Sequence, residues 1–329
     1  MRIFELGLFS RFRSELMGIA AIMIIVCHMP AHGVDMPAIA SKIFQAGGVG
    51  CDIFLFLSGF GLSVSLSKYR FGGGGLLSWY KKRYFRIIVP YLCISIPCCI
   101  IPLICGSITF HEYILNVSTI SYWINGYGLW FIAMLLPLYF LTPFLYRLSS
   151  CEYGIILLGG IVVLSWIFGS INLGFDSLRY VQFVLVRIPL YLIGLIMAPH
   201  IMDGRKIPFL NIIVIWLCLF LVWLSIRLFL DKTLSFFWIE AILLLIILPI
   251  LLTWIKAVWV HRALRFMGSI SLESYCTNVL LLAYFSQFSW SVNGVNINPG
   301  NWTYYIVGSA ICIFISYVVN IFCKTIIKI

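Results

Sequence analysis

Five ionisable side chains stand inside long apolar runs of this 329-residue chain: His28, Asp52, Arg187, Glu240 and Glu273. A charged group at mid-bilayer costs about 2.5–3.5 kcal/mol on insertion scales, so such residues either pair with one another or serve a function. Pairing that fixes helix packing accounts for one or two of them. Five in one bundle suit a polar catalytic chamber, or a path for a substrate or proton. His28 has the chemistry of a general base, because an imidazole beside a carboxylate is held in one tautomer and made more basic. Asp52 is the expected carboxylate partner, and Arg187 is a cation able to stabilise a carbonyl oxygen or a phosphate. Counted from the ends of their apolar runs, these three are expected to meet in the same half of the bilayer. Glu240, about seven residues into the eighth span from outside, and Glu273, on the cytoplasmic side of the ninth, lie at other depths and are candidate substrate-binding groups. Tyr275 and Asn278 follow Ser271 on one helical face, a polar stripe suited to lining the chamber and contacting substrate.

The elements that must hold these groups follow from composition. Hydrophobic residues make up 62% of the chain and charged residues 10%, with a mean hydropathy of +1.06. Soluble domains average about 45–50% apolar and about 25% charged residues, so a soluble enzyme, a disordered chain and a disulfide-stapled secreted domain are excluded. Ile242 to Leu252 is apolar on every face, as a spanning helix is, whereas a transmembrane barrel strand alternates. The fold class is therefore all-α and polytopic. At about 20 apolar residues per span, ten helices are predicted near residues 15–30, 48–67, 87–106, 128–147, 153–172, 181–201, 207–229, 233–254, 267–288 and 302–323. Together they form one membrane domain over 1–329. Arg2, Arg11 and Arg13 ahead of an apolar run resemble a signal peptide, but no A-x-A cleavage site follows, and the run is read as the first span.

The net charge of +11 suggests nucleic acid until its position is considered. Seventeen of the 22 Lys and Arg residues fall on alternate connections, including the run Lys81, Lys82, Arg83 and Arg86. Four fall on the opposite connections and Arg187 lies within a span. This asymmetry orients the chain with both termini cytoplasmic, its basic loops against anionic lipid, and leaves no surface for nucleic acid. The 11 cysteines show no C-x-x-C or Cys/His ligand spacing and read as packing thiols, with no metal site.

Six stretches, in order, resemble the membrane acyltransferase-3 family. Leu16 to Ala21 followed by His28 is similar to its first helix, and Gly48 to Phe60 to its GVDxFFxLSGF element. Lys82 to Ile87 with Pro90 and Tyr91 resembles its basic RRxxRIxPxY segment; Leu129, Trp130 and Phe131 with Tyr139 and Pro143 resemble its LWF helix. Arg187, Ile188 and Pro189 leading to Gly194, and Ser269 to Tyr275, complete the series.

The resemblance implies ten spans and transfer of an acyl group, commonly acetyl, from cytoplasmic acyl-CoA to a hydroxyl. The implied acceptor is an envelope glycan or lipid-linked sugar, and the implied setting is the bacterial inner membrane. It implies His28 as base, with Asp52 and Arg187 in the catalytic set. Lys82, Arg83 and Arg86 then serve as cations for the CoA phosphates. The family's first helix carries an Arg-x10-His pair, which lies on one face about 16 Å apart and suits a groove with the donor at one end and the acceptor at the other. In this chain the arginine position is Met17, and Asn278 stands where the later motif often has histidine. A transporter or flippase would use the same buried charges, but many transporters show repeats or paired broken helices, and none is visible here. An inactive family member is the remaining alternative.

Overall fold

The computed structural model describes residues 3–71, 75–171, 174, 178–229, 237–285, 290–292, 295–297 and 302–327. A short strand β1 (Ile3–Glu5) and a turn of helix α1 (Gly7–Arg11) lead into the first long helix, α2 (Arg13–His28). Pro30–His32 forms a 3-10 turn ended by Gly33 in the left-handed region. The chain returns through α3 (Ala38–Gln45) and a second 3-10 turn (Ala46–Val49) directly into α4 (Gly50–Phe71). Then follow α5 (Leu76–Ile104), the short helices α6 (Phe110–Val117) and α7 (Ile120–Asn125), α8 (Trp130–Ser149) and α9 (Gly154–Ser170). Two residues separate α10 (Arg179–Leu185) from α11 (Ile188–Met202). Strand β2 (Lys206–Pro208) pairs antiparallel with β1, and α12 (Phe209–Phe229) and α13 (Phe237–Trp254) make a hairpin on the bundle's flank. The amphipathic helix α14 (Val258–Ser269) leads to α15 (Ser271–Phe285), the hairpin of β3 (Trp290–Val292) with β4 (Val295–Ile297), and α16 (Trp302–Ile327).

Among the described residues, eight helices are long and apolar enough to cross a membrane. The predicted fifth span is α9, apolar but only 17 residues long. The predicted ninth is α15, 15 residues long, which carries buried Ser271, Glu273, Ser274, Thr277 and Asn278. A helix enclosed by α2, α5 and α16 faces protein and not lipid, so it tolerates this polarity. Thr277 shares its hydroxyl with Ser316 at 2.8 Å and with the Cys312 carbonyl. The chain is an all-α polytopic membrane protein.

Two helix crossings fix the centre. At one, α4 meets α11 so closely that a Cβ on Gly59 would lie 2.1 Å from the Tyr191 carbonyl oxygen, and one on Gly194 2.1 Å from that of Phe56. At the other, a Cβ on Gly18 would lie 2.0 Å from the Leu264 oxygen, and one on Gly268 2.1 Å from that of Ser14, which locks α14 onto α2. Backbone contact of this kind needs small residues because lipid supplies no hydrophobic drive between helices. Gly59→Ala is therefore expected to push α4 off α11 and cost about 1–3 kcal/mol. A lowered melting temperature of the detergent-solubilised protein checks this, with the exposed Gly75→Ala as the unaffected control.

Candidate active site

At mid-bundle, Arg187 occupies the break between α10 and α11, where Pro189 begins the new helix, and its Nη1 donates to Oδ2 of Asp52 on α4. Both side chains are buried. The guanidinium also faces the rings of Trp130, Phe183 and Phe237, at 4.8, 4.8 and 4.3 Å from their centroids. Aromatic faces and an opposite charge compensate a buried cation that water would otherwise solvate. Compensation is incomplete, since Oδ1 of Asp52 and Nε of Arg187 have no hydrogen-bond partner. Glu240, one turn beyond Phe237 on α13, accepts a hydrogen bond from Trp223 of α12 at 2.9 Å. The pair thus joins α4, α8, α10, α11 and α13 in one layer.

Below this layer lies a cavity of about 660 Å³. Its mouth is cationic, with Arg13 from α2, Lys68 from α4, Arg83 and Arg86 from α5, and Lys324 from α16. None of the five forms a salt bridge with a described carboxylate. Arg13 donates from Nη2 to the Leu57 carbonyl at 3.2 Å, and Arg83 donates to Ser65, whose hydroxyl also receives the Trp79 indole at 2.9 Å. The Nε atoms of both arginines are buried without a partner. Arg13 fits because position 61 is glycine: a Cβ there would lie 2.4 Å from its Nη2. Glu273 is the one acid among the described lining residues and accepts from Asn320 at 2.9 Å. Lys82 lies outside the lining, exposed at the rim with its ammonium 5.7 Å from the Tyr69 ring centroid.

The opposite end of the cavity is apolar and closed. Phe54, Phe131 and Tyr275 are all buried there. Phe131 stands 6.1 Å from Phe54 and 5.5 Å from Tyr275 by ring centroids, and its backbone N–H donates to the Tyr275 hydroxyl at 3.3 Å. Asn278, one turn past Tyr275, is fully buried off the lining, and neither of its amide atoms has a hydrogen-bond partner in good geometry. The Tyr305 hydroxyl lies beside it, within reach of a hydrogen bond to the amide.

His28 ends α2 at the far side. Its Nδ1 lies 2.7 Å from the Ile24 carbonyl oxygen. A carbonyl only accepts, so Nδ1 carries the proton and Nε2 keeps the free lone pair. The His32 ring is 6.5 Å away and stands 5.8 Å from Tyr305.

No hydrogen bond or ion pair joins His28 to Asp52 or Arg187; its ring contacts the Ile24 carbonyl and His32 instead. The second span begins at Ala38, ten residues before the predicted start, because the 3-10 turn at 46–49 carries the helix through the Gly-rich segment. A Cβ on Gly50 would lie 2.6 Å from the Ala20 oxygen, which sets Asp52 beside the middle of α2. His28 is eight residues beyond Ala20, about 12 Å along the axis.

A family model for an acyltransferase domain, Acyl_transf_3, matches residues 16–321. The chain belongs to the acyltransferase-3 family. No curated protein and no solved structure matches it. The acyltransferase match covers His28, Asp52, Arg187 and most of the cavity wall, including Phe54, Phe131 and Tyr275. Arg13 and Lys324 lie just outside it, so two of the five mouth cations in this acyltransferase come from flanking positions. Arg13 sits one helical turn before Met17, which also lines the cavity, and so stands on the same face of α2 as the missing family arginine. Lys68 and Lys324 are cavity residues that sequence reasoning passed over, because the positive-inside pattern already accounted for them, and Tyr139, seen there only as part of the LWF helix, lines the cavity too.

Proposed function

We propose that this membrane acyltransferase moves a short acyl group, acetyl, from acyl-CoA to a hydroxyl of an envelope glycan or lipid-linked sugar. The observation that carries the reading is the cavity mouth: five cations, none salt-bridged by a described carboxylate, with two buried Nε–H groups unpartnered. Phosphates are the natural complement of such a fork of donors. The basic end is assigned to the cytoplasm by the positive-inside asymmetry, which places the mouth where acyl-CoA is found and suits the bacterial inner membrane. Along α4 the cavity extends from Lys68 to Phe54, about 21 Å at helical rise, so a donor held by its phosphates at the mouth points its thioester at the closed end. Glu273 and Tyr275 face the arm of the donor, and the buried Asn278 follows on the route to His28.

In the reaction the acceptor oxygen attacks the thioester carbonyl while Nε2 of His28 takes its proton. The C–O bond forms and the C–S bond breaks. The proton returns from the imidazolium to the departing thiolate, so the products are the ester and free CoA. Asp52 and Arg187 act through structure, holding the layer past which the thioester end of the donor must reach.

Removing one charged hydrogen-bond donor from a bound phosphate costs about 1.5–3 kcal/mol. Arg83→Ala and Arg13→Ala are each expected to weaken acetyl-CoA binding about tenfold or more, measured by titration calorimetry on nanodisc-reconstituted protein. The rim variant Lys82→Ala is expected to change it less than threefold. Unaltered affinity in both arginine variants would remove the basis for placing the donor here.

A further inference from the structure

We propose that the far end of α2 carries a saccharide subsite, in which the Trp302 indole and the Asp35 carboxylate hold the sugar next to the one acylated at His28; the inference rests on the acyltransfer reading above. Arg13 and His28 stand at opposite ends of α2, about 22 Å apart along its axis. A donor seated in the mouth occupies the Arg13 end, so the acceptor comes to His28 from the other. His28 is partly exposed there. Beyond it the Pro30–His32 turn and Gly33, at φ +76°, reverse the chain and set the His32 ring 6.5 Å from that of His28.

Trp302 begins α16, and its Nε1–H donates to the Asp35 backbone carbonyl at 2.7 Å. That bond uses the one polar atom of the indole, yet the residue stays 39% exposed, so what it offers a ligand is ring carbon. Phe44 meets it edge to face at 6.0 Å and steadies it. An aromatic face takes the C–H side of a sugar ring and leaves the hydroxyls free to bond elsewhere. The residue whose carbonyl holds the indole also supplies an exposed carboxylate, and no described cation forms a salt bridge with it. His32 is half-buried between the rings of His28 and Tyr305, and no described group hydrogen-bonds its nitrogens. Tyr305 lies one turn past Trp302, so α16 carries both the indole and the ring that adjoins His32. The Tyr305 hydroxyl donates to the Ile25 carbonyl at 2.5 Å, which ties this turn of α16 to α2. A platform fixed before its ligand arrives loses less in ordering. A tryptophan that only anchors a helix at the membrane surface has no need of an unpaired carboxylate and an unbonded imidazole at its side.

The test varies the concentration of envelope glycan extracted from the producing cells, with full-length protein in nanodiscs and saturating acetyl-CoA. Acetyl-CoA affinity is measured in parallel. Trp302→Ala is expected to raise the glycan KM about tenfold, the scale of removing an aromatic anchor, with acetyl-CoA affinity unchanged. Trp302→Phe keeps an aromatic face but loses the bond to Asp35, and is expected to raise KM by about threefold at most. A merely structural tie would make phenylalanine as harmful as alanine. Asp35→Asn leaves the backbone carbonyl in place and is expected to raise KM about fivefold, because a neutral acceptor replaces a charged one. Trp259→Ala, exposed on α14 at the opposite end of α2, is the unaffected control. An unchanged glycan KM in folded Trp302→Ala, or an equal rise in the phenylalanine and alanine variants, overturns the subsite alone. Where alanine fails to fold, an unchanged KM in Asp35→Asn does the same. Absence of transfer by the wild type at every glycan concentration overturns the acyltransfer reading and the subsite with it.

Discussion

His28→Ala is expected to lower glycan acylation by at least a hundredfold while leaving acetyl-CoA binding intact. General-base catalysis by a positioned side chain contributes about 10²–10⁴-fold, and His28 carries its free lone pair on Nε2 because Nδ1 is committed to the Ile24 carbonyl. The cavity that is proposed to hold the donor is lined by other residues, so affinity and turnover separate cleanly in this variant. His28→Asn retains a group able to bond the same carbonyl but supplies no base, and is expected to behave like alanine in turnover and like wild type in stability. Mass spectrometry of released O-acyl groups, with membrane protein level and acetyl-CoA affinity measured in parallel, decides the matter. Full acylation by either variant at normal protein level would remove His28 from the reaction.

Asp52→Ala is expected to damage the protein itself. It leaves Arg187 buried with only aromatic faces for company, and breaking a buried pair from one side costs about 3–5 kcal/mol. Reduced accumulation in the membrane and a markedly lower melting temperature in detergent should both follow. The double variant Asp52→Leu with Arg187→Met removes both charges together and is expected to recover most of that stability, since an apolar replacement of a whole pair is often neutral or better. Recovered folding without recovered activity would show that the layer does more than hold helices together. Failure of the double variant to fold better than Asp52→Ala would contradict the pairing.

The spanning helices and the family were legible because a spanning segment must be apolar over its whole length, and the family's motifs are short and ordered. Depth was less legible. A span start at residue 48 places Asp52 one turn from the membrane edge, yet Ala38–Gln45 and the turn after it continue the same crossing. The sign was present in Gly47, Gly48 and Gly50: a Cβ on Gly47 would lie 2.3 Å from the Met23 oxygen, so these glycines seat the chain against α2 inside the bundle. The mouth cations were visible but already explained by topology, and one residue type satisfies both demands. The ring cluster was invisible, because Phe54, Phe131 and Tyr275 are brought together only by the packing of three distant helices. Nothing in local pattern sets one aromatic residue in an apolar run apart from another.

The cavity's cationic mouth has an electrical consequence. A water-filled cavity with a cationic mouth that reaches mid-bundle carries the potential of the compartment it opens on, so more of the membrane voltage falls across the ring cluster and the Asp52–Arg187 layer than across the same depth of cavity. A lone charge moved across that short interval would change in energy by up to about 2.3 kcal/mol per 100 mV. Asp52 and Arg187 are opposite charges in contact at one level, and the field exerts no net pull on them, only a torque that their three aromatic neighbours resist. The layer between the two sides is thus held by a brace with no net charge, on which a transmembrane field has no net pull.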